Sequence, residues 1–354
     1  MNQKLTGKQY TLLASMLFGM FFGAGNLIFP IILGAKAGAS LVPALLGMLI
    51  TAVGMPLLGI VALGVSRSSG LMQMSGRVAK WYSYFFTCAL YLTIGPFFAI
   101  PRCAATSFTM GIAPLVSGSH TVPQAIFTTL FFAAVLFFAL RPNNIMNSIG
   151  KYLNPIFLIC LGILVVAALL DPIQSVGSVA ASGAYADNAF STGFLQGYDT
   201  LDALASLAFG IIVVNVIKEM GVEEPGAIAK NTIKSGVFSM VLMTVIYALI
   251  AIVGAQSYGL YADQLGEPSF NGGNAFAIVA QHYLGKAGMI VLALTVTFCC
   301  MKTAIGLVTA CADTFSVMFP RSLSYRSWAI VFTAFSLLVS NIGLSKIISF
   351  SAPV

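Results

Sequence analysis

An all-α, polytopic membrane fold is what this sequence predicts, on three observations. Hydrophobic residues make up 58% of the 354 and charged residues only 8%, where a soluble domain carries about a quarter charged residues. Mean hydropathy is +0.95. Apolar stretches of the roughly 20 residues that cross a hydrocarbon core recur along the chain.

Nine such stretches lie at roughly 10–35, 41–65, 81–108, 122–140, 152–170, 194–217, 235–258, 287–317 and 327–342. A tenth begins near Ile347 and is cut off at Val354. The first follows the basic segment MNQKLTGKQY and lacks a small-residue cleavage site, so it reads as a retained span rather than a signal peptide. In the third, Gly95, Pro96 and Pro101 predict a kink or an end. Asn143, Asn144, Asn147 and Asn154 precede the fifth as an inner loop and helix start. Residues 171–193 and 259–286 read as structured outer loops, the second containing NGGNAFAIVAQHYLG as a short helix.

Basic residues set the orientation. With the N-terminus inside, the inner segments hold Lys4, Lys8, Arg67, Arg77, Lys80, Arg141, Lys151, Lys218, Lys230, Lys234, Arg321 and Arg326, against Lys36, Lys286 and Lys346 outside. That asymmetry predicts a cytoplasmic N-terminus. The formal charge of +7 therefore reports topology rather than a nucleic-acid partner. The six cysteines, Cys88, Cys103, Cys160, Cys299, Cys300 and Cys311, all lie in apolar stretches and read as small buried hydrophobes rather than a disulfide framework or metal site.

A chain of spans without a soluble domain is a transporter, a channel or an intramembrane enzyme, and the polar groups hidden in its spans discriminate. FFGAGNLIFP, residues 21–30, places Gly23, Gly25, Asn26 and Pro30 in the first span. Unwinding there would free backbone N–H groups for an anion and the carbonyls of Gly19, Phe21 and Phe22 for a cation; a close helix-packing notch explains the small residues equally well. GYDTLDALASLAFGII, residues 197–212, carries Asp199 near the interface and Asp202 deeper, facing a cavity. TFCCMKTAIGLVTACAD, residues 297–313, holds Lys302 midway, too deep to snorkel, and ends at Asp313 on the inner side. Such a lysine pairs with an acid or loses its charge. Arg102 reads as a partner for Asp199 or Asp202, or as a group used in transport.

FGAGNLIFP, GPFFAIPR, GYDTLDALASLAFG and KTAIGLVTACAD, in that order along the chain, resemble the branched-chain amino acid:cation symporter family. The resemblance implies a leucine-transporter-type inverted-repeat fold, with the first and sixth helices broken at the centre. It implies uptake of leucine, isoleucine and valine with sodium across the bacterial inner membrane. By this likeness the amides around Gly23, Ala24 and Gly25 hold the substrate carboxylate, with Asn26 beside it or an ion. The carbonyls of Gly19 and Phe22 face an ion site shared with the eighth helix. Ser206-Leu207-Ala208-Phe209-Gly210 resembles the break of the sixth helix, so that Ser206 and the carbonyls near Ala203 meet the amino group. Phe21 and Phe209 wall the side-chain pocket.

Two features depart from the family pattern. At 302 and 303 it implies two hydroxyl ligands for sodium, and here Lys302-Thr303 stands instead; a charged lysine accepts no hydrogen bond and fills the space of a cation. That favours proton coupling or ion-independent exchange as the alternative. The chain also stops at SAPV, inside the tenth of about twelve expected helices, so the fold is expected to be C-terminally incomplete.

The expectation is a single transmembrane transport domain over 1–354, with a first repeat at about 10–170 and a second at about 194–354. It imports apolar amino acids, methionine included, by cation symport with alternating access. Its partners are the small-molecule substrate and membrane lipid; nucleic acid, an obligate protein partner and a bound cofactor other than a sodium ion or proton are not expected. A channel would show repeated pore segments or charged rings. An enzyme would show paired catalytic groups beyond Asp199 and Asp202 at i, i+3, and no HExxH or GxSxG pattern accompanies them.

Overall fold

The computed structural model describes residues 5–66, 68, 70–141 and 154–351. Lys4, Arg67, Asn143, Asn144, Asn147, Lys151 and the final Ala352, Pro353 and Val354 lie outside that set. Among the described residues the secondary structure is helical throughout.

Helix α1, Gly7–Phe21, starts with a capping box: Gln9 N donates to Thr6 Oγ1 at 3.4 Å and Thr6 N to Gln9 Oε1 at 2.8 Å. It stops because Phe22 and Gly23 are extended. Helix α2, Ala24–Ala37, restarts directly, its first turn tied down by Gly23 N donating to Asn26 Oδ1 at 2.8 Å. The first span is thus a broken helix whose gap is two residues. Asn26, expected inside the gap, instead caps the restart.

Helices α3 (Leu41–Leu49) and α4 (Met55–Ser66) join through a π-turn at Ile50–Gly54. After α5, Leu71–Ser75, helices α6 (Lys80–Leu92) and α7 (Ala99–Ser107) form the third span, kinked at Gly95-Pro96 as expected. Helix α8 is Thr121–Ala139 and α9 is Asn154–Leu170.

Helices α10 (Ala184–Tyr198) and α11 (Asp202–Glu219) make the broken sixth span. The break lies at Asp199–Leu201, with Leu201 in the left-handed region (φ 65°). Ser206–Gly210, where the break was expected, is continuous helix. The segment 184–193, expected in a loop, is already helical. Helix α12 covers Pro225–Gln256. Helix α13 runs Gly272–Met318 with a bend at Gly285 (φ 60°), so the NGGNAFAIVAQHYLG segment is the short helix foreseen before the eighth span. Helices α14 (Tyr325–Ser340) and α15 (Leu344–Ser351) follow, bent 110° from one another.

Among the described residues, six helical runs are long and apolar enough to cross a membrane: Ala24–Ser66, Lys80–Leu115, Thr121–Ala139, Ala184–Glu219, Pro225–Gln256 and Gly272–Met318. The bent pair α14–α15 makes a seventh, and Phe157–Leu170 is a shorter apolar helix. At 1.5 Å per residue the 43-residue run Ala24–Ser66 would be roughly 65 Å long, twice a hydrocarbon core of about 30 Å. It leaves helical geometry at Gly38 (φ 49°, ψ −119°), between the two expected stretches.

Burial is inverted relative to a soluble protein. Leu58, Leu130, Val241 and Leu338 are 60–72% exposed, while Asn26, Arg102, Asp202 and Lys302 are at most 4% exposed. Apolar surface facing out and ionisable groups facing in is the pattern a lipid solvent imposes. The broken first span is held by close backbone approach: a Cβ on Gly34 would strike the Ala251 carbonyl, and one on Gly254 the Ile31 carbonyl. Helices α2 and α12 therefore cross nearly backbone to backbone, the packing small residues allow in membranes.

Candidate binding site between two broken helices

The two helix breaks meet. A cavity between them is lined by Phe21, Gly23, Ala24, Gly25 and Asn26 from the first span and by Thr200, Leu201, Asp202, Ala205 and Phe209 from the sixth. Ala99, Arg102 and Cys103 of α7 and Thr303 and Leu307 of α13 close it. Its free volume is about 20 Å³, room for little more than one water. Wider hollows of about 640 and 660 Å³ lie elsewhere, one beside Lys36 and Asp199, the other beside Leu71 and Asp313. The cavity at the breaks is far smaller than either.

A polar network spans the breaks. Asn26 Nδ2 donates to Asp202 Oδ2 at 2.6 Å and also contacts the Tyr247 hydroxyl; that hydroxyl donates to Asp202 Oδ2 at 2.9 Å. Asp202 sits in the first turn of α11, where the partial positive charge of a helix N-terminus favours an anion. Its own N–H is 3.3 Å from Thr200 Oγ1. In α2 the first-turn N–H groups of Ala24 and Gly25 have no intrahelical partner, and both residues line the cavity. Phe21 and Phe209 meet edge to face, centroids 5.5 Å apart, as an apolar wall.

Behind the break, oxygens gather around Thr303. Its Oγ1 lies 3.4 Å from the Met20 carbonyl and 3.5 Å from those of Phe22 and Cys299. The Cys299 thiol also donates to Phe22 O, at 3.1 Å. Phe22 therefore presents its carbonyl to α13 as expected, while its ring packs on Phe18, Phe157 and Tyr247. The second carbonyl at Thr303 belongs to Met20, not Gly19. Gly19 instead faces the Asn154 side chain.

Lys302 is directed away from the cavity. Its Nζ donates to Asn154 Oδ1 and lies 5.2 Å from the Phe157 ring centroid. Asn154 Nδ2 in turn donates to the Ser15 carbonyl. The expected acid partner is replaced by an amide, and Asn154, read as a loop-side helix start, is a fully buried link between α1, α9 and α13.

Two other expectations are corrected. Ser206 donates to the Ala203 carbonyl at 2.7 Å, and a Cβ on Gly59 would strike Ser206 Oγ. Ser206 thus faces α4, and neither it nor Ala203 is in the cavity lining, because helix α11 is intact there. Arg102 pairs with neither acid side chain: it donates to the backbone carbonyls of Asp199 and Thr200, the latter at 2.8 Å. Tyr247 was missed; its signal is a hydroxyl in the middle of the apolar α12, which needs a partner when buried.

The sequence profile of the family described as "Branched-chain amino acid transport protein" matches residues 6–354. The chain belongs to this family. Over its full length it is 51% identical to a branched-chain amino acid permease of Lactobacillus delbrueckii and 41% identical to one of Bacillus subtilis, covering 79% of each. Among solved structures, MhsT in complex with L-phenylalanine superposes with a TM-score of 0.64 at 17% identity, covering 98% of this chain and 81% of that one. That likeness carries the fold, the leucine-transporter type with broken first and sixth helices. A family of transport proteins is the setting for the cavity described above.

Proposed function

We propose that the chain is a secondary active transporter that imports branched-chain or other apolar amino acids by cation symport with alternating access. Leucine, isoleucine and valine are the leading substrates and methionine the next. The observation that carries this reading is the convergence of two helix breaks on one small cavity, with free N–H groups and the Phe21–Phe209 wall in its lining. When the cavity widens beyond its volume of about 20 Å³ to admit substrate, the α-carboxylate lies against the Ala24 and Gly25 amides and the side chain against the two phenylalanines. An apolar wall of this kind separates substrates differing by one methylene by only about 1–3 kcal/mol, so selectivity among the branched chains is modest.

The Thr303 cluster fits a monovalent cation. Six oxygens around an ion at about 2.4 Å have edges of about 3.4 Å, and the spacings at Thr303 are 3.4–3.5 Å. A bound sodium ion would supply positive charge beside the break and tie α1 to α13. The Met20, Phe22 and Cys299 carbonyls and the Thr303 hydroxyl would hold it.

A second reading rests on Lys302. Its amine is buried against Asn154, next to the same stretch of α1. A proton on that amine could stand for the ion, giving proton coupling or ion-independent exchange. We place the N-terminus on the cytoplasmic side of a bacterial inner membrane, following the distribution of basic residues. A channel is disfavoured because the sequence carries neither repeated pore segments nor rings of charge.

Counterflow in proteoliposomes tests these readings together. The liposomes are preloaded with one unlabelled amino acid and assayed with and without sodium and a pH gradient. Saturable exchange of leucine, isoleucine and valine that needs sodium supports symport. Exchange that follows the pH gradient supports the Lys302 reading. Substrate-independent current and no exchange would refute transport.

A further inference from the structure

Arg102 is 2% exposed and lies in the middle of the molecule. Two of its nitrogens are spent on the carbonyls of Asp199 and Thr200. Those carbonyls end helix α10 and run into the break, where a helix C-terminus carries partial negative charge. Capping them explains why the left-handed Leu201 is tolerated. It does not explain the rest of the guanidinium.

The third nitrogen, Nε, is buried without a hydrogen-bond partner. Arg102 lines the cavity together with Gly23, Ala24 and Gly25. A Cβ on Gly25 would come within 2.9 Å of Arg102 Nη2 and 3.1 Å of the Thr200 Cα. The guanidinium therefore lies directly over the first turn of α2. A full positive charge and a helix N-terminus are brought against each other in a dry site, and each disfavours the other unless an anion lies between them. The Asp202 carboxylate acts on that charge through space but makes no hydrogen bond to it; its Oδ2 accepts from Asn26 and Tyr247. Phe29, with its ring centroid 5.3 Å from Cζ, covers another approach.

We infer that Arg102 is the charge partner of the substrate carboxylate: its guanidinium and the α2 amides hold the anion from two sides, while its grip on Asp199 and Thr200 keeps the sixth-span break in place. This rests on the reading of the cavity as an amino-acid site and adds the group that selects an α-carboxylate over a neutral end. Arg102 then joins the break of one broken helix to the substrate bound at the other. A lysine cannot do both, because it lacks the planar fork.

The test compares leucine with leucinamide, which lacks the negative charge, as competitors of labelled-leucine uptake in proteoliposomes. It uses the wild type, Arg102→Gln and Arg102→Lys. Arg102→Gln should raise the leucine KM at least about 10-fold more than it weakens leucinamide inhibition, the excess being the lost charge-assisted hydrogen bond. Arg102→Lys should recover part of the leucine affinity. Equal losses for leucine and leucinamide, or identical behaviour of the Lys and Gln variants, would show a structural cap only and overturn the inference. An unchanged leucine KM in Arg102→Gln would do the same. If Arg102→Gln does not fold, the Lys variant decides: its leucine affinity must fall more than its leucinamide affinity. Absence of amino-acid uptake by the wild type would instead refute the transport reading on which this one rests.

Discussion

Asn26 and Asp202, 176 residues apart in sequence, are joined by a 2.6 Å hydrogen bond across the two helix breaks. One residue caps the restart of the first span, and the other opens the restart of the sixth. The bond couples the two broken helices at the site where a substrate would sit. Any change in the gap between the breaks has to lengthen or re-aim it.

Asp202→Ala tests that coupling. It strands the Asn26 amide and the Tyr247 hydroxyl without their shared acceptor, at about 1–3 kcal/mol for each buried group. Leucine uptake should fall at least about 10-fold, and the melting temperature of the purified protein should drop. Asp202→Asn keeps an acceptor and should be milder in stability than Asp202→Ala. Equal uptake by wild type and Asp202→Ala would remove Asp202 from the site.

Tyr247→Phe removes only the hydroxyl. The direct Asn26–Asp202 bond survives, so the expected loss is about 1–2 kcal/mol, read as a lower melting temperature and a raised KM for leucine. Apolar shape is conserved, which separates the hydroxyl from the ring that packs on Phe22.

Lys302→Thr restores a hydroxyl pair with Thr303 and removes the ammonium beside Asn154. If Lys302 sets the coupling ion, the sodium dependence of uptake should shift at least about 10-fold and any dependence on a pH gradient should vanish. A wild type that requires sodium, paired with a variant that behaves identically, would exclude Lys302 from coupling.

Gly34→Ala pushes a methyl into the Ala251 carbonyl at the α2–α12 crossing. Neither backbone can yield alone, because Gly254 meets Ile31 on the same contact. The expected cost is about 1–3 kcal/mol, measured by thermal unfolding in detergent. Gly162→Ala is the control: nothing lies within 4 Å of its Cβ position. There the gain in helix propensity should leave stability unchanged or about 0.5–1 kcal/mol higher.

Much of this arrangement was legible before the structure, and the failures have physical causes. Composition and span length gave the membrane class because lipid permits few solutions. Gly23, Gly25 and Asn26 marked the first break because such residues are costly in an uninterrupted helix. The sixth break was harder. It falls at Asp199–Leu201 and uses a left-handed leucine, a conformation leucine does not advertise; the small residues of SLAFG, which did advertise flexibility, sit in intact helix. Tertiary contact decides there: Arg102 holds the break by its carbonyls. Pairings such as Lys302–Asn154 and Asn26–Tyr247 link positions 148 and 221 residues apart, and a single sequence carries no signal for them.

The most direct test of the account is equilibrium binding of labelled leucine to the purified protein and to Ala205→Phe. Ala205 lines the cavity from α11 opposite the first-span break, and a benzyl group there occupies the space of a substrate side chain. The account predicts saturable leucine binding by the wild type and at least about 10-fold weaker binding by folded Ala205→Phe, about 1.4 kcal/mol, with the ligand-free melting temperature lowered because the benzyl group overfills a cavity of about 20 Å³. Undiminished leucine binding by Ala205→Phe would place the substrate elsewhere and contradict the central claim.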